Sequence, residues 1–122
     1  MRHDSLEDWL HWLESSHPWE IELGLDRITC VADRLGFSFA GVKVITVAGT
    51  NGKGSCVALL SSLLSAAGYR TAAYTSPHIL DFNERICVEG SAVSDSQIMQ
   101  AFDHVEQALD GISLTYFEFT TL

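Results

Sequence analysis

The chain is poor in the features that would mark a secreted, membrane-bound or nucleic-acid-binding protein. Its three cysteines, Cys30, Cys56 and Cys87, are odd in number, widely spaced and form no CxxC pair. A zinc site or disulfide framework is therefore not indicated. Cys56 follows a glycine-rich stretch on an apolar segment, reads as a small packed side chain, and is assigned no chemistry. No apolar run reaches the roughly 18 residues needed to span a bilayer. The N-terminus "MRHDSLEDWLHW" carries acids and tryptophans where a secretory signal would be basic and then apolar. A soluble cytoplasmic protein without a membrane partner is expected. Lysine and arginine total 7 against 16 acids, for a net charge of −9, which argues against a general nucleic-acid surface. Repeats, low-complexity segments and linkers rich in Pro, Gly or Ser are also missing.

One absence is local. Residues 1–35 hold eight acids and 81–122 another eight, whereas 36–80 hold none and carry only Lys43, Lys53 and Arg70 as charged groups. A polyanion site benefits from such a gap; a buried strand and helix with few charges of either sign produce the same pattern.

What is present suits about one domain, since 122 residues fall within the usual range of roughly 100–200. A 47% hydrophobic content supplies a core. The spacing predicts a helix over 6–14, with Ser5 and Asp8 as a capping pair and Leu6, Trp9, Leu10 and Leu13 on one face. "HPWEIELGL" (17–25) reads as a loop. A second helix is predicted over 26–35, stopped by Gly36. "VKVITVA" (42–48) has the β-branched, nearly all-apolar character of a strand covered on both faces. Residues 55–67, apolar around most of the circumference, predict a mostly buried helix ending at Gly68. "RTAAYTS" (70–76) and "RICVEG" (85–90) predict further strands. Ser94 and Gln97 open a helix with Ile98, Phe102, Val105 and Leu109 inward, stopped by Gly111. The strand–helix–strand unit at 42–76 implies parallel strands with a right-handed crossover, hence an α/β fold with a P-loop NTPase-like parallel sheet and flanking helices.

The break in "VITVAGTNGKGSCVALL" (44–60) carries the chemistry. A helix N-terminus offers free N–H groups and the positive end of its dipole to an anion, and glycines let the loop curl so that those groups approach oxygen atoms. Lys53 supplies a charge for β/γ-phosphates and the Ser55 hydroxyl a ligand for Mg²⁺. The spacing departs from G-x-x-x-x-G-K-[ST]: Gly49 lies three residues before Gly52, and Gly54 separates Lys53 from Ser55. A plain tight β–α turn is the alternative.

"AGTNGKGS" resembles the nucleotide loop of the Mur ligase superfamily. Together with "IELGLDRI" (21–28), "YTSPHILDFNERI" (74–86) and "ISLTYFEF" (112–119), the chain resembles the folylpolyglutamate synthase/dihydrofolate synthase family, and "TYFEF" and "IELGL" speak against a peptidoglycan Mur ligase. The resemblance implies the N-terminal portion of a Mur-ligase-type ATPase domain: a helical lead-in with a substrate loop (1–41), the strand–loop–helix–strand unit (42–76) and a substrate-side segment (77–122). It implies ATP at Gly49, Thr50, Asn51, Gly52, Lys53, Gly54 and Ser55, with Lys53 catalytic, and Mg²⁺ at Ser55 and Ser76. It also implies a dihydropteroate or folate site walled by Glu22, Leu23 and Gly24 on one side and Thr115, Tyr116, Phe117 and Glu118 on the other.

By the residues alone, Ser76–Pro77 is equally an ordinary turn. Likewise Thr115-x-x-Glu118 is a capping box, with Tyr116 and Phe117 as core. His78 reads as a loop hydrogen-bonder or a general base, and Glu84–Arg85 as a surface ion pair or hinge; neither is assigned to catalysis.

The implied reaction is ATP-driven amide formation by a monomeric enzyme acting on small molecules. A substrate carboxylate takes the γ-phosphoryl group, and the amine of L-glutamate then displaces phosphate. Family members continue further, with an acidic glycine-rich segment, a metal-binding histidine, a modified lysine and a closing C-terminal domain. The chain accordingly reads as a truncated form, inactive alone. A free-standing nucleotide-binding module is the alternative.

Overall fold

The computed structural model describes residues 2–18 and 22–122; Trp19, Glu20 and Ile21 of the expected loop lie outside the described residues. The elements in order are helices α1 (Leu6–Ser15), α2 (Asp26–Leu35) and α3 (Lys53–Ala66), strand β1 (Ala72–Tyr74), a 3₁₀ turn (Phe82–Arg85), strands β2 (Ile86–Val88) and β3 (Ser91–Ala92), and helices α4 (Asp95–Leu109) and α5 (Tyr116–Thr121). One unit joins residues 1–40 to 95–122, and a second comprises 41–94. The expected substrate-side segment is thus shared, with 77–94 in the second unit and the rest in the first.

In the first unit the helices begin and end where local chemistry directs. Ser5 Oγ accepts the Asp8 N–H at 3.1 Å, satisfying one of the unpaired donors at the start of α1. Gly36 closes α2 at φ 68°, ψ 31°, a left-handed conformation that glycine adopts without a Cβ clash. Arg34 near the end of α2 donates to the carbonyls of Ala108 (3.0 Å) and Leu109 (2.6 Å), so one cation satisfies the C-terminal acceptors of α4. The apolar faces of these helices meet around Trp9, Leu13, Val31, Ile98, Phe102, Val105, Leu114 and Phe119, all buried. Phe119 stands 5.4 Å from Phe102 and 5.8 Å from Trp12, ring centre to centre, both edge-on. That geometry suits the quadrupoles of aromatic rings and ties α5 to α1 and α4.

The second unit is α/β: a three-stranded sheet, β1-β2-β3, with α3 packed on β1. Cys87 is the central register point, opposite Ala73 on one side and Ala92 on the other. Three expectations are corrected here. Both ladders are antiparallel, and residues 42–48 form no ladder among the described residues. Only residues 89–90 separate β2 from β3, so that antiparallel hairpin closes at small entropic cost, whereas β1 reaches β2 through residues 75–85, which hold the 3₁₀ turn. No described strand flanks 42–48, and Val44 stays 69% exposed. The third correction is that α3 buries none of its residues, and Leu59 and Leu63 remain largely exposed. An all-round apolar sequence reports what a helix is able to bury; burial itself needs packed neighbours. No helix among the described residues is long and apolar enough to cross a membrane.

Trp9 has no exposed surface, and among the described residues its indole N–H has no hydrogen-bond partner. Trp9→Ala is expected to cost about 3–5 kcal/mol of stability through the cavity it leaves. Trp9→Phe should cost clearly less, because its ring fills most of that cavity while likewise removing the unsatisfied donor. Urea unfolding of both variants checks the order, and equal losses would contradict it.

Candidate functional site

The expected phosphate loop lies in the second unit. Gly52 takes φ 76°, ψ 7° and caps α3 without a side-chain hydrogen bond, while Gly49 sits at φ 155°. Both values lie where L side chains are strained. A Cβ on Gly49 would meet only ordinary contacts, 4.0 Å from the Asn51 carbonyl oxygen and from Lys53 Cγ, so the backbone angle and not space calls for glycine there. The first ladder bond of the helix runs from the Cys56 N–H to the Gly52 carbonyl at 3.0 Å. The N–H groups of Lys53, Gly54 and Ser55 precede it and receive no cap from Gly52, and the first turn contains no acid. Donors of this kind favour an anion. Lys53 Nζ folds back to donate to the Gly49 carbonyl at 2.6 Å, so the ammonium lies across the loop. Thr50, Asn51 and Ser55 are exposed.

Ser76, also exposed, follows β1 by two residues. Beyond it the chain is held by Glu84, whose carboxylate accepts the N–H groups of Ile79, Leu80 and Asp81 at 2.9, 2.9 and 3.0 Å. These bonds, Ile79's first, hold the Glu84 carboxyl below the usual carboxylate range, and the His78 imidazole acts in the same direction. Arg85 Nε donates to His78 Nδ1 at 2.9 Å, which leaves the imidazole proton on Nε2 in the neutral ring. His78 is therefore engaged as a hydrogen-bond acceptor, in line with the loop-bonding alternative.

The two expected substrate walls both lie in the first unit, and the structure brings them together. Glu22 Oε1 meets Arg27 Nη1 at 2.7 Å, and Arg27 Nη2 meets Glu118 Oε1 at 2.6 Å. Thr115 and Glu118 form the capping box: the Thr115 N–H donates to Glu118 Oε2 at 2.9 Å, and the Glu118 N–H to Thr115 Oγ1 at 3.2 Å. Glu118 is 8% exposed, whereas Leu23 is 91% and Phe117 54% exposed. Gly24 takes φ 118° between them in the chain, and Tyr116 is half-buried.

Residue reasoning did not find Arg27, nor His17 and Ser113, whose side chains continue the same network. The available signal was Arg27 as the lone cation among Glu20, Glu22, Asp26 and Asp33. A depression of about 340 Å³ in the same unit reaches Ser113 and includes none of the expected site residues. Among the described residues no cluster of three or more His, Cys, Asp or Glu side chains is placed to hold a metal.

No protein-family profile matches the chain. Individual relatives do. It is 46% identical over 117 residues to the dihydrofolate synthase/folylpolyglutamate synthase of Escherichia coli (strain K12), covering 96% of this chain and 28% of that protein. The fold superposes on Escherichia coli FolC in complex with DHPP and ADP with a TM-score of 0.93 at 45% identity, over 97% of this chain and 28% of that one. A bifunctional folylpolyglutamate synthase/dihydrofolate synthase with Mn, AMPPNP and L-glutamate bound superposes with a TM-score of 0.89 at 43% identity, over 97% and 28% of the two chains. The chain therefore spans about 28% of the length of these relatives. Over nearly its own whole length it is similar to that family in both sequence and fold, as the four segments implied.

Glu84 has a depressed pKa in the fold, so its contribution is full above the unfolded carboxylate pKa and is lost as pH falls through the lower folded value. Glu84→Gln should remove that acid-side loss and lower stability at neutral pH. Melting temperatures between about pH 3 and 7 check this; parallel curves for the two proteins would contradict it.

Proposed function

We propose that the chain, similar in sequence and fold to folylpolyglutamate synthase/dihydrofolate synthases, is the nucleotide- and pterin-binding part of an ATP-dependent ligase. The reaction adds L-glutamate to dihydropteroate, to folates or to both. One observation carries the reading: the uncapped start of α3, with Lys53 across it, lies in the 45-residue span 36–80 that is free of carboxylates.

ATP phosphates are taken by Gly49, Thr50, Asn51, Gly52, Lys53, Gly54 and Ser55. The N–H groups at the start of α3 fit phosphate oxygens, and Lys53 exchanges the Gly49 carbonyl for a phosphate oxygen at little reorganisation. Ser55 and Ser76 present exposed hydroxyls, hard oxygen donors of the kind Mg²⁺ prefers. When bound there, the ion supplies charge neutralisation on the transferring phosphoryl group. The substrate carboxylate oxygen attacks the γ-phosphorus, the bond to the β-phosphate oxygen breaks and ADP leaves. The glutamate nitrogen then attacks the acyl carbon, a proton leaves the amine, phosphate departs and the amide remains. Lys53 is the catalytic residue, holding the phosphoryl oxygens as their charge redistributes.

The pterin end of the substrate is received between Glu22–Gly24 and Thr115–Glu118. Exposed Leu23 and Phe117 offer apolar surface to a flat ring, and glycine at position 24 lets backbone approach it. The enzyme works as a monomer in the cytoplasm on these small molecules.

In the full-length protein, Lys53→Ala is expected to lower kcat/KM for glutamate ligation by at least about a hundredfold, roughly 3 kcal/mol of transition-state stabilisation. A steady-state assay with ATP, dihydropteroate and glutamate measures it. A rate within about threefold of the unsubstituted enzyme would remove Lys53 from the mechanism.

A further inference from the structure

We infer that Arg27 is the positioning residue of the pterin-side site: its guanidinium sets the separation of the two walls, and Glu22 and Glu118 serve as its anchors. The inference rests on the assignment of those walls above and goes beyond it by giving their acidic members a role.

The hydrogen bonds form a closed circuit. Glu22 uses one oxygen for Arg27 Nη1 (2.7 Å) and the other for His17 Nε2 (2.8 Å). A carboxylate only accepts, so His17 Nε2 carries a proton. In the neutral ring Nδ1 is then an acceptor, and the Ser113 hydroxyl at 2.9 Å donates to it. Glu118 uses one oxygen for Arg27 Nη2 (2.6 Å) and the other for the Thr115 N–H (2.9 Å). The path therefore leaves the 113–115 segment at Ser113, runs through His17, Glu22, Arg27 and Glu118, and returns at Thr115. Leu114 between its ends is buried. The 22–24 loop is tied to the start of α5 twice, by one route through His17 and by another, ionic, through Arg27.

Each of the four carboxylate oxygens accepts one hydrogen bond within the circuit, which orients both acids. The other wall residues, Leu23, Gly24, Tyr116 and Phe117, make a set suited to a flat heteroaromatic ring more than to a charged one. The ionic route also needs a fork. Two carboxylates approached from two nitrogens of one planar group require arginine, since an ammonium is a point donor. Glu118 is mostly buried, so loss of its cation leaves a charge that water cannot fully solvate.

The test uses the full-length protein with three substitutions: Arg27→Met, which keeps the stem and removes the charge, Arg27→Lys, and Glu22→Gln as a milder break at the exposed end. Pteroate and Mg·ADP binding are measured by titration, and amide exchange is followed at 22–24 and 113–118. Arg27→Met should weaken pteroate at least about tenfold and leave ADP within about twofold, with Arg27→Lys and Glu22→Gln falling between. Exchange should quicken at 113–118 in the Met variant, ligand or no ligand. Pteroate binding within about twofold of the unsubstituted protein in all three would overturn the inference, as would equal weakening of pteroate and ADP. If the unsubstituted protein binds ADP and not pteroate, the pterin assignment falls and takes the inference with it, a result distinct from loss of binding in the variants alone.

Discussion

A carboxylate that lies near backbone N–H groups takes them, and the distribution of carboxylates in this chain decides which donors are left for a ligand. Glu84 takes three N–H groups at 79–81, and Glu118 takes that of Thr115. The start of α3 has no acid in its first turn and no side-chain cap. Its donors are therefore open to an outside anion, and the long acid-free span keeps repulsion low around them. The chain's net charge of −9 conceals this arrangement, because no acid falls between residues 36 and 80.

The loop itself is shorter than the common phosphate-binding pattern, and its glycines compensate. Gly49 and Gly52 occupy positive φ values that side-chain-bearing residues avoid, so the chain reverses within three residues and delivers Lys53 onto the Gly49 carbonyl. That contact holds the ammonium over the loop before any ligand arrives, which limits the side-chain entropy lost on binding.

In the first unit a different kind of force does the positioning. Phe119 wedged against Phe102 and Trp12 fixes α5, and the preceding residue, Glu118, is thereby carried to Arg27 on α2. Apolar packing sets the approach, and the charged groups define its register. Removing either part would leave the other without purpose: an aromatic core does not choose which carboxylate faces which cation, and an ion pair alone is too weak to dock a helix.

Local chemistry was legible from the residues because it needs only three or four neighbours. The start of α1 at Ser5, the Gly36 stop of α2 and the Thr115–Glu118 box are each read from side-chain oxygens and glycines at fixed offsets. The glycine loop with its lysine is also local. Strand direction, the exposure of α3 and the ladder-free state of 42–48 were not legible, since hydrophobic pattern specifies a face and not the neighbour that will cover it. Arg27 was beyond reach for the same reason: its partners are Glu22, five residues before it, and Glu118, 91 residues away. The sequence by itself determined the caps and the glycine loop that opens α3; only the tertiary structure decided which distant carboxylates one guanidinium would join, because that depends on how the helices pack.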